Sequence, residues 1–426
     1  MALLRVGGFP SNALAVVIRG VGVVMILCLK SQVSYSFSTK ELLFGCCTKE
    51  KLYLCYSLCF LAYSLAAPVK HIILLPFSLL YRIVTGVRNW LFNNELIKSR
   101  SFNIPVISIG NLAVGGTGKT PHTEFVLSAL QDEWKSAMLS RGYKRKTRGF
   151  YLADEKASSR TLGDEPFQIF QKFPRVTVAV DEKRVHGVAK LQELVPDLQL
   201  VVLDDAFQHR YIQAGFSILL TDFSNLYTRD SLLPYGRLRE SKAGSKRADL
   251  IVVTKCPADL PPIDMRLIEM ELNPQSHQSV FFSTYVYDEL RPVFPQAEPE
   301  NWTVDRLKQS QAGVLLVAGI VSPGQIVDYL ADYTETIKTL FFADHHAFQS
   351  KDFGLISKTF EAIPTSDKIL LVTEKDAARL QSNPNFPDAL KSRTFALPIR
   401  VKILHNQEPL FIQKIKNYVV ENSRNS

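Results

Sequence analysis

Cysteine is scarce in the greater part of this 426-residue chain: five of the six cysteines precede residue 60, and Cys256 stands alone in the rest. That distribution excludes a secreted disulfide framework. No pair of CxxC motifs has the spacing of zinc ligands, which disfavours a structural zinc site. Internal repeats and low-complexity tracts are also lacking. With 46% hydrophobic and 21% charged residues, the composition predicts one large or two medium globular domains.

Acidic residues are absent from the first 40 residues, which carry four cationic ones. This bias has three interpretations: an organellar transit peptide, a weak membrane segment, or an extension from an upstream start codon. A further uncharged run, Leu52 to Val69, approaches the roughly 20 residues that cross a bilayer. Residues 1–69 are therefore predicted to be an apolar extension for targeting, membrane contact or a spurious start.

A second apolar run, His71 to Tyr81, is followed by Arg82 and Arg88, with Trp90 nearby. It is too short to cross a bilayer, and aromatic residues beside arginines are typical of an interfacial helix with its basic end at the cytoplasmic face. A buried core helix is the alternative. Residues 1–150 carry a net charge of +12, which suits a membrane surface, a polyanion or a phosphorylated ligand without choosing among them.

Short apolar runs alternate with helical stretches from Ile104 onward, and continuous apolar runs indicate strands buried on both faces of a parallel sheet. The fold class predicted is α/β, doubly wound, with a second, smaller α/β domain. We place the first domain, with its membrane-proximal helix, at residues 70–275 and the second at residues 276–426. The candidate strands are Ile104 to Ile109, Ala137 to Ser140, Arg175 to Val180, Leu200 to Leu203, Ser217 to Leu220, Leu250 to Val253, Val280 to Val286, Val314 to Val317, Ile337 to Phe342 and Ile369 to Val372.

A glycine-rich loop follows the first of these strands and precedes a helix-like run from Pro121 to Leu130. This order of strand, loop and helix forms a phosphate cradle, in which backbone N–H groups, a lysine and a hydroxyl surround a nucleotide's phosphates. The pattern predicts binding of a nucleoside triphosphate and Mg²⁺, although its usual opening glycine is an alanine, which the loop tolerates if its φ is negative. The loop residues are Ala113, Val114, Gly115, Gly116, Thr117, Gly118, Lys119 and Thr120.

Two adjacent carboxylates, Asp204 and Asp205, end the apolar strand that begins at Leu200. Such a strand is the expected second part of a magnesium site, with one acid reaching the ion and the other holding its neighbours. A solvated turn is the alternative interpretation.

Several polar clusters follow other apolar runs, where α/β folds place functional loops. Together with the glycine loop they resemble the tetraacyldisaccharide 4′-kinase family, from about Leu75 to the C-terminal region. Ala206 stands where the family pattern has glycine. The motifs are residues 109–112, 115–121, 140–143, 163–166, 204–209, 233–240, 344–345 and 373–376.

The resemblance implies transfer of the ATP γ-phosphate to the 4′-hydroxyl of an acylated glucosamine disaccharide 1-phosphate at the cytoplasmic face of a bacterial inner membrane. A mitochondrion is the alternative location. By similarity, Lys119 and Thr120 hold phosphates and Mg²⁺, and Asp205 and Glu165 serve the metal. The resemblance also implies that Asp164 and His345 would form the pair that activates the acceptor hydroxyl. The residues that would line the acceptor and phosphate pocket are Arg141, Tyr143, Gln208, His209, Arg239 and Glu240.

Two other functions stay open at this stage. One is a P-loop GTPase switch, because Thr254-Lys255-Cys256-Pro257 resembles a guanine-reading motif, although Pro257 replaces the aspartate that pairs with guanine. The other is a membrane-associated ATPase with no lipid product. No nucleic-acid partner is predicted, because the basic cluster from Arg141 to Arg148 has no interleaved aromatic residue beyond Tyr143.

Overall fold

A computed structural model describes four strands before residue 40 and residues 74–319, 324–343 and 346–423. The chain forms two compact units, Met1–Tyr81 and Arg82–Ser426. In the first unit, four strands pair antiparallel in chain order: β1 (Ala2–Leu4), β2 (Ala15–Gly20), β3 (Val23–Cys28) and β4 (Val33–Ser38). The predicted bilayer-length run at residues 52–69 lies outside the described residues.

The second unit is built on a nine-stranded sheet with the order β18-β12-β11-β10-β5-β9-β6-β8-β7. Only the two edge strands, β7 and β18, pair antiparallel with their neighbours. The predicted α/β class with a mostly parallel sheet is therefore confirmed. The strands are β5 (Val106–Asn111), β6 (Ser136–Ser140), β7 (Tyr151–Leu152), β8 (Thr177–Val180), β9 (Leu200–Asp204), β10 (Phe216–Asp222), β11 (Leu250–Thr254), β12 (Ser279–Tyr287) and β18 (Ile399–Ile403).

Helices cover both faces of this sheet, as its uninterrupted apolar strands require. The helix α2 (Lys119–Leu130) packs Leu127 and Leu130 against the Ile107 face of β5. On the other face, α5 (Arg184–Leu194) packs against Val106 and its neighbours. The site described below lies where the carboxyl ends of β5 and β9 meet, between these layers.

A separate five-stranded sheet follows, with the strand order β13-β17-β16-β14-β15. Its strands are β13 (Arg291–Pro292), β14 (Gly313–Ala318), β15 (Ile337–Phe341), β16 (Lys368–Thr373) and β17 (Thr394–Leu397). The strands β12 and β18, although they follow residue 276, belong to the nine-stranded sheet. The domain boundary at residue 276 stays a prediction.

The remaining helices connect these strands, and the last one returns to the larger sheet. Its residues Phe411, Ile415 and Val419 join the core that α2 covers. The helices are α1 (74–93), α3 (Ser159–Leu162), α4 (Asp164–Lys172), α6 (Pro262–Leu272), α7 (Val304–Ser310), α8 (Gly324–Leu330), α9 (Ser350–Glu361), α10 (Glu374–Gln381), α11 (Asp388–Lys391) and α12 (Glu408–Ser423).

A helix, α1, covers the described part of the predicted interfacial segment and continues to residue 93, while its contact with a membrane stays a prediction. In the second unit, its side chains Ile83, Val84, Val87 and Trp90 are each more than half exposed. Its end is fixed to the body, because Phe92 is buried and packs edge-on against the ring of Tyr211. In the part of the chain that the structure describes, no helix is long and apolar enough to cross a membrane.

Candidate active site

The glycine loop begins directly after β5 and ends at the first turn of α2. Its first residues pair with the segment around Leu238: Val114 N donates to Arg237 O at 2.7 Å, and Arg239 N donates to Leu112 O at 2.7 Å. Ala113 has no positive φ, so alanine fits where the usual pattern has glycine. This pairing places the motif at residues 233–240 beside the loop.

Gly118 is the residue of the loop with the least room. Its φ is +86°, and a Cβ there would lie 1.9 Å from Oη of Tyr285. Its carbonyl oxygen is 2.7 Å from Nδ1 of His122, whose Nε2 is 2.9 Å from Oγ of Ser283. The loop conformation is therefore built on glycine at this position.

We expect Gly118→Ala to destabilise the protein by about 2 kcal/mol or more, because the methyl group meets the Tyr285 hydroxyl in a backbone region that disfavours alanine. Gly116→Ala is the matched control, since its Cβ would meet no atom of the described residues within 4 Å and its φ is not positive. Urea unfolding without nucleotide measures both. Adding Tyr285→Phe to Gly118→Ala should restore part of the loss, because the buried Tyr285 hydroxyl has no hydrogen-bond partner in the described part of the chain. Equal stability of the two alanine variants would contradict the steric explanation.

Lys255 and Thr254 hold the loop from the neighbouring strand β11. Thr254 Oγ1 donates to Thr117 O at 2.9 Å, and Lys255 Nζ donates to Gly116 O and to Asp222 Oδ2, the latter at 2.8 Å. The residues that resemble a guanine-reading motif thus support the loop's backbone. The sequence pattern did single out this segment, but as a candidate for guanine binding.

Asp204 and Asp205 have different surroundings although they are adjacent. Asp204 is 2% exposed, and its oxygens accept hydrogen bonds from Thr123 Oγ1 at 3.3 Å and Ser140 Oγ at 3.2 Å. Asp205 is half-buried at φ +46°, 3.9 Å from Lys119 Nζ and 3.0 Å from Arg239 Nη1. The positive φ falls on Asp205 and not on Ala206, so the alanine at 206 is tolerated.

Of the two adjacent acids, Asp204 is the one whose surroundings favour the protonated form. Burial, followed by the nearby charges of Glu165 and Asp205, raises the pKa of Asp204 to about 7. Arg184, 2% exposed, donates to Asp204 O at 3.2 Å and partly offsets these charges. Sequence reasoning missed Arg184, because nothing in its local pattern distinguishes it from an ordinary helix residue.

Asp164 and Glu165 begin α4 and face α10, the helix that follows β16 of the five-stranded sheet. Asp164 Oδ2 accepts from Arg379 Nε at 2.8 Å, and Arg379 Nη1 donates to Asp376 Oδ1 at 2.7 Å. Glu165 Oε1 lies 3.5 Å from Lys375 Nζ. Arg379 was not predicted, although the motif at residues 373–376 precedes it by one turn.

His345, the predicted partner of Asp164, lies outside the described residues. The neighbouring Ala343 is described, and its carbonyl oxygen would lie 3.3 Å from a Cβ placed on Gly319. The same position on Gly319 lies 3.1 Å from Asp376 Oδ1 and 3.4 Å from Arg379 Nη1. The chain therefore passes beside the Asp164–Arg379 network shortly before His345.

The predicted acceptor residues surround the edge formed by Asn111 and Asp205. Gln208 Nε2 donates to Asn111 O at 2.6 Å, and its Oε1 accepts from Arg239 Nη1 at 3.3 Å. Burial, followed by the charges of Arg184 and two other arginines, lowers the pKa of His209 to about 4, so its ring is neutral at pH 7. Two further predicted residues, Arg141 and Tyr143, are exposed after β6.

Glu240 differs from the other predicted acceptor residues because it is 2% exposed. Its carboxylate accepts hydrogen bonds from Asn89 Nδ2 at 3.0 Å, Gln208 Nε2 at 3.1 Å and Arg247 Nη2 at 2.9 Å. The structure therefore places Glu240 beneath the site, where it fixes Gln208 and the end of α1.

Lys172, at the end of α4, joins the loop helix to α10. Its Nζ lies 2.6 Å from Glu124 Oε2 on α2 and 2.8 Å from Glu374 Oε1 on α10. Gln168 Nε2 also donates to Glu124, at 2.7 Å. Burial, followed by the charge of Glu374, raises the pKa of Glu124 to about 7 against the opposing effect of Lys172.

Similarity to known proteins identifies the family. The profile described as tetraacyldisaccharide-1-P 4′-kinase (LpxK) matches residues 70–419. The chain belongs to this family. A tetraacyldisaccharide 4′-kinase from Bacteroides thetaiotaomicron is 48% identical over 358 residues, covering 83% of this chain and 94% of that protein. The corresponding protein of Flavobacterium johnsoniae is 41% identical, covering 82% and 97%.

A solved structure agrees with this membership. The "apo" form of LpxK from Aquifex aeolicus in complex with ATP aligns with a TM-score of 0.62 at 30% identity, covering 81% of this chain and 98% of that chain. The family predicted from the motifs is thus confirmed. The predictions of an ATP-dependent kinase and of a role in lipid A biosynthesis are confirmed as well. Neither the GTPase switch nor the ATPase without lipid product is favoured.

The pH dependence of stability in this tetraacyldisaccharide 4′-kinase family member should reflect Glu124. The folded protein keeps the Glu124 proton up to about pH 7, whereas the unfolded chain loses it near pH 4. The folded state therefore binds more protons in this range, and the free energy of unfolding falls as the pH rises through it. We expect Glu124→Gln, which carries no titrating proton, to gain stability relative to wild type between pH 5 and pH 8. Urea unfolding at both values, without nucleotide, measures the change.

Glu133→Gln is the matched control, because Glu133 is a half-exposed carboxylate paired with Lys416 at the surface. It should change little between the two pH values. A Glu124→Gln variant whose stability difference from wild type is the same at pH 5 and pH 8 would show that Glu124 is ionised throughout the range.

Proposed function

We propose that this chain transfers the γ-phosphate of ATP to the 4′-hydroxyl of tetraacyldisaccharide 1-phosphate, giving lipid IVA. In this proposal, residues around the glycine loop bind the phosphates, the metal ion and the acceptor. The observation that carries the proposal is the meeting of Lys119, Asp205 and Arg239 at the carboxyl edge of β5 and β9. Phosphoryl transfer mainly requires alignment and charge neutralisation, and this edge offers both.

The loop residues 113–120 hold the phosphates of ATP through their backbone N–H groups, and Lys119 adds positive charge. A Mg²⁺ ion fits the donor set, since Asp205 and Glu165 are close enough to Asp204 for their charges to raise its pKa. Within the described residues no three acidic, His or Cys side chains have the spacing of a metal site, so nucleotide phosphates would have to complete the ligand set. When bound, Mg²⁺ neutralises charge that develops on the phosphates.

The acids then have separate tasks. Asp205 and Thr120 hold the ion, Glu165 supports it, and Asp204 keeps Thr123 and Ser140 in place. This division follows from the exposure of Asp205 and the burial of Asp204. It agrees with the two tasks expected of paired acids at a strand end.

Asp164 and His345 form the pair that takes the proton from the 4′-hydroxyl. Support comes from Ala343, which lies beside the Arg379 and Asp376 cluster to which Asp164 is bound. An acidic partner orients the imidazole and raises its basicity.

The acceptor sugar lies along the loop that carries Gln208 and His209. Arg239 and the exposed Arg141 and Tyr143 provide further contacts, and Glu240 holds Gln208 from below. The acyl chains remain in the lipid surface, where the exposed apolar side chains of α1 are immersed. Because α1 is tied to Gln208 O through Arg88 at 2.8 Å, membrane contact positions the acceptor loop at the cytoplasmic face of the inner membrane.

The test is a transfer assay with γ-labelled ATP, Mg²⁺ and purified acceptor lipid in detergent micelles. We expect labelled bisphosphorylated product that depends on both the acceptor and Mg²⁺, with ATP preferred to GTP. ATP consumption that is equal with and without acceptor would instead support the ATPase, and GTP displacing ATP equally well would support the switch.

A further inference from the structure

The motif at residues 373–376 has no part in the proposed function, although it begins α10, the helix that packs against α4. Ala378 of α10 joins a buried apolar cluster that includes Phe167 of α4. At the far end of α4, Lys172 Nζ lies 2.8 Å from Glu374 Oε1. These contacts hold α10 against α4 without involving the two acids with which α4 begins.

The residues of the motif fix the side chain of Arg379. Asp376 is fully buried, and its Oδ2 accepts hydrogen bonds from Thr373 Oγ1 at 2.7 Å and from Gly319 N at 2.8 Å. Its other oxygen, Oδ1, accepts from Arg379 Nη1 at 2.7 Å. Both oxygens of Asp376 thus have partners, and the guanidinium bound to this carboxylate is held in one orientation.

Another nitrogen of the same guanidinium binds Asp164. Arg379 is buried, and its Nε donates to Asp164 Oδ2 at 2.8 Å. Because a guanidinium is planar, binding at two of its nitrogens fixes the orientation of one carboxylate relative to the other. Desolvation offsets much of the attraction in a buried ion pair, so orientation is the larger effect of this contact.

Lys375 makes the corresponding contact one turn earlier on α10. Its Nζ lies 3.5 Å from Glu165 Oε1. Residues four positions apart lie on the same face of a helix, which explains how α10 reaches both acids. The lysine contact is longer, and an ammonium on a flexible stem constrains its partner less than a guanidinium does. Of the two acids, Asp164 is therefore the one whose orientation α10 determines.

We propose that Arg379 is a positioning residue for phosphoryl transfer: it holds the Asp164 carboxylate in the orientation in which this acid helps to remove the proton from the acceptor hydroxyl. The proposal rests on the proposed function, which assigns Asp164 to proton transfer. Thr373 and Asp376 of the motif then act by fixing Arg379. Because misplacing a group by about 1 Å can cost about 10²-fold in rate, Asp164 released from Arg379 keeps its charge but loses part of its effect.

The test measures kcat and KM of the full-length wild type, Arg379→Met, Asp164→Asn and the double variant, with γ-labelled ATP and acceptor lipid in micelles. We expect Arg379→Met to lower kcat about tenfold, with the KM of both substrates within about twofold of wild type. In the Asp164→Asn background the same substitution should change kcat by less than about twofold, because no ionised carboxylate is left to orient.

Glu374→Gln is the matched control, because it removes the charge at the other end of the contact between α4 and α10. Its kcat should equal that of wild type. Arg379→Lys keeps the positive charge beside Asp376 and serves as the second variant if Arg379→Met does not fold. Lysine lacks the planar fork, so we expect a similar loss of kcat.

Full activity of Arg379→Met or of Arg379→Lys would overturn the positioning role, while the kinase function would stand. A tenfold loss that persists in the Asp164→Asn background, or that Glu374→Gln shares, would overturn it as well. If Asp164→Asn itself turns over as fast as wild type, the proposed role of Asp164 fails, and the role of Arg379 fails with it.

Discussion

Replacing Lys119 by methionine is expected to lower kcat for lipid phosphorylation by about 10²- to 10³-fold. The Lys119 ammonium lies 3.9 Å from Asp205 Oδ1 at the end of the loop, and the proposed function assigns it to the charge that develops on the transferred phosphoryl group. Methionine keeps the length of the side chain and removes its charge. The measurement is transfer of label from ATP to the acceptor lipid at saturating ATP.

Lys135→Met is the matched control, because Lys135 precedes β6 at the opposite edge of the same sheet and is exposed. Its kcat should equal that of wild type. A Lys119→Met enzyme that turns over as fast as Lys135→Met would remove the basis for placing phosphoryl transfer at this loop. A Lys119→Met variant with a raised KM for ATP but normal kcat would show that the lysine only binds nucleotide.

Local sequence patterns were sufficient for the parallel sheet and for the loop. Strands buried on both faces appear as unbroken apolar runs, so β5, β9, β10, β11, β14 and β16 could be predicted to within two residues. The loop could be predicted because its conformation depends on glycine at defined positions, as the contact between Gly118 and Tyr285 shows. These features depend on residues that are close together in the chain.

The residues missed are those that act across long separations. Arg379 reaches Asp164 from 215 positions away, and Lys172 reaches Glu374 from 202 positions away. No local pattern distinguishes a lysine that bridges two layers from one on the surface. The position of β18 in the nine-stranded sheet could not be predicted for the same reason. The sequence of a five-residue edge strand does not indicate which strand it pairs with.

The pairing of Asp164 with His345 is the other prediction with a large effect. We expect Asp164→Asn and His345→Ala each to lower kcat by about 10²- to 10⁴-fold, because a positioned base contributes about this much to proton transfer. The double variant should be no slower than the slower single variant, since the two residues act as one unit. ATP affinity, measured by fluorescence titration, should remain within about threefold of wild type because neither residue belongs to the glycine loop.

The ion pair between Asp164 and Arg379 provides the control that separates catalysis from structure. Arg379→Met removes the same 2.8 Å contact but keeps the Asp164 carboxylate. If Asp164 serves the proton transfer, Arg379→Met should retain at least tenfold more activity than Asp164→Asn at equal thermal stability. Equal loss of activity in the two variants would mean that Asp164 only anchors α4 to α10. Independent, multiplicative losses in the Asp164→Asn/His345→Ala double variant would show that the two residues do not work as a pair.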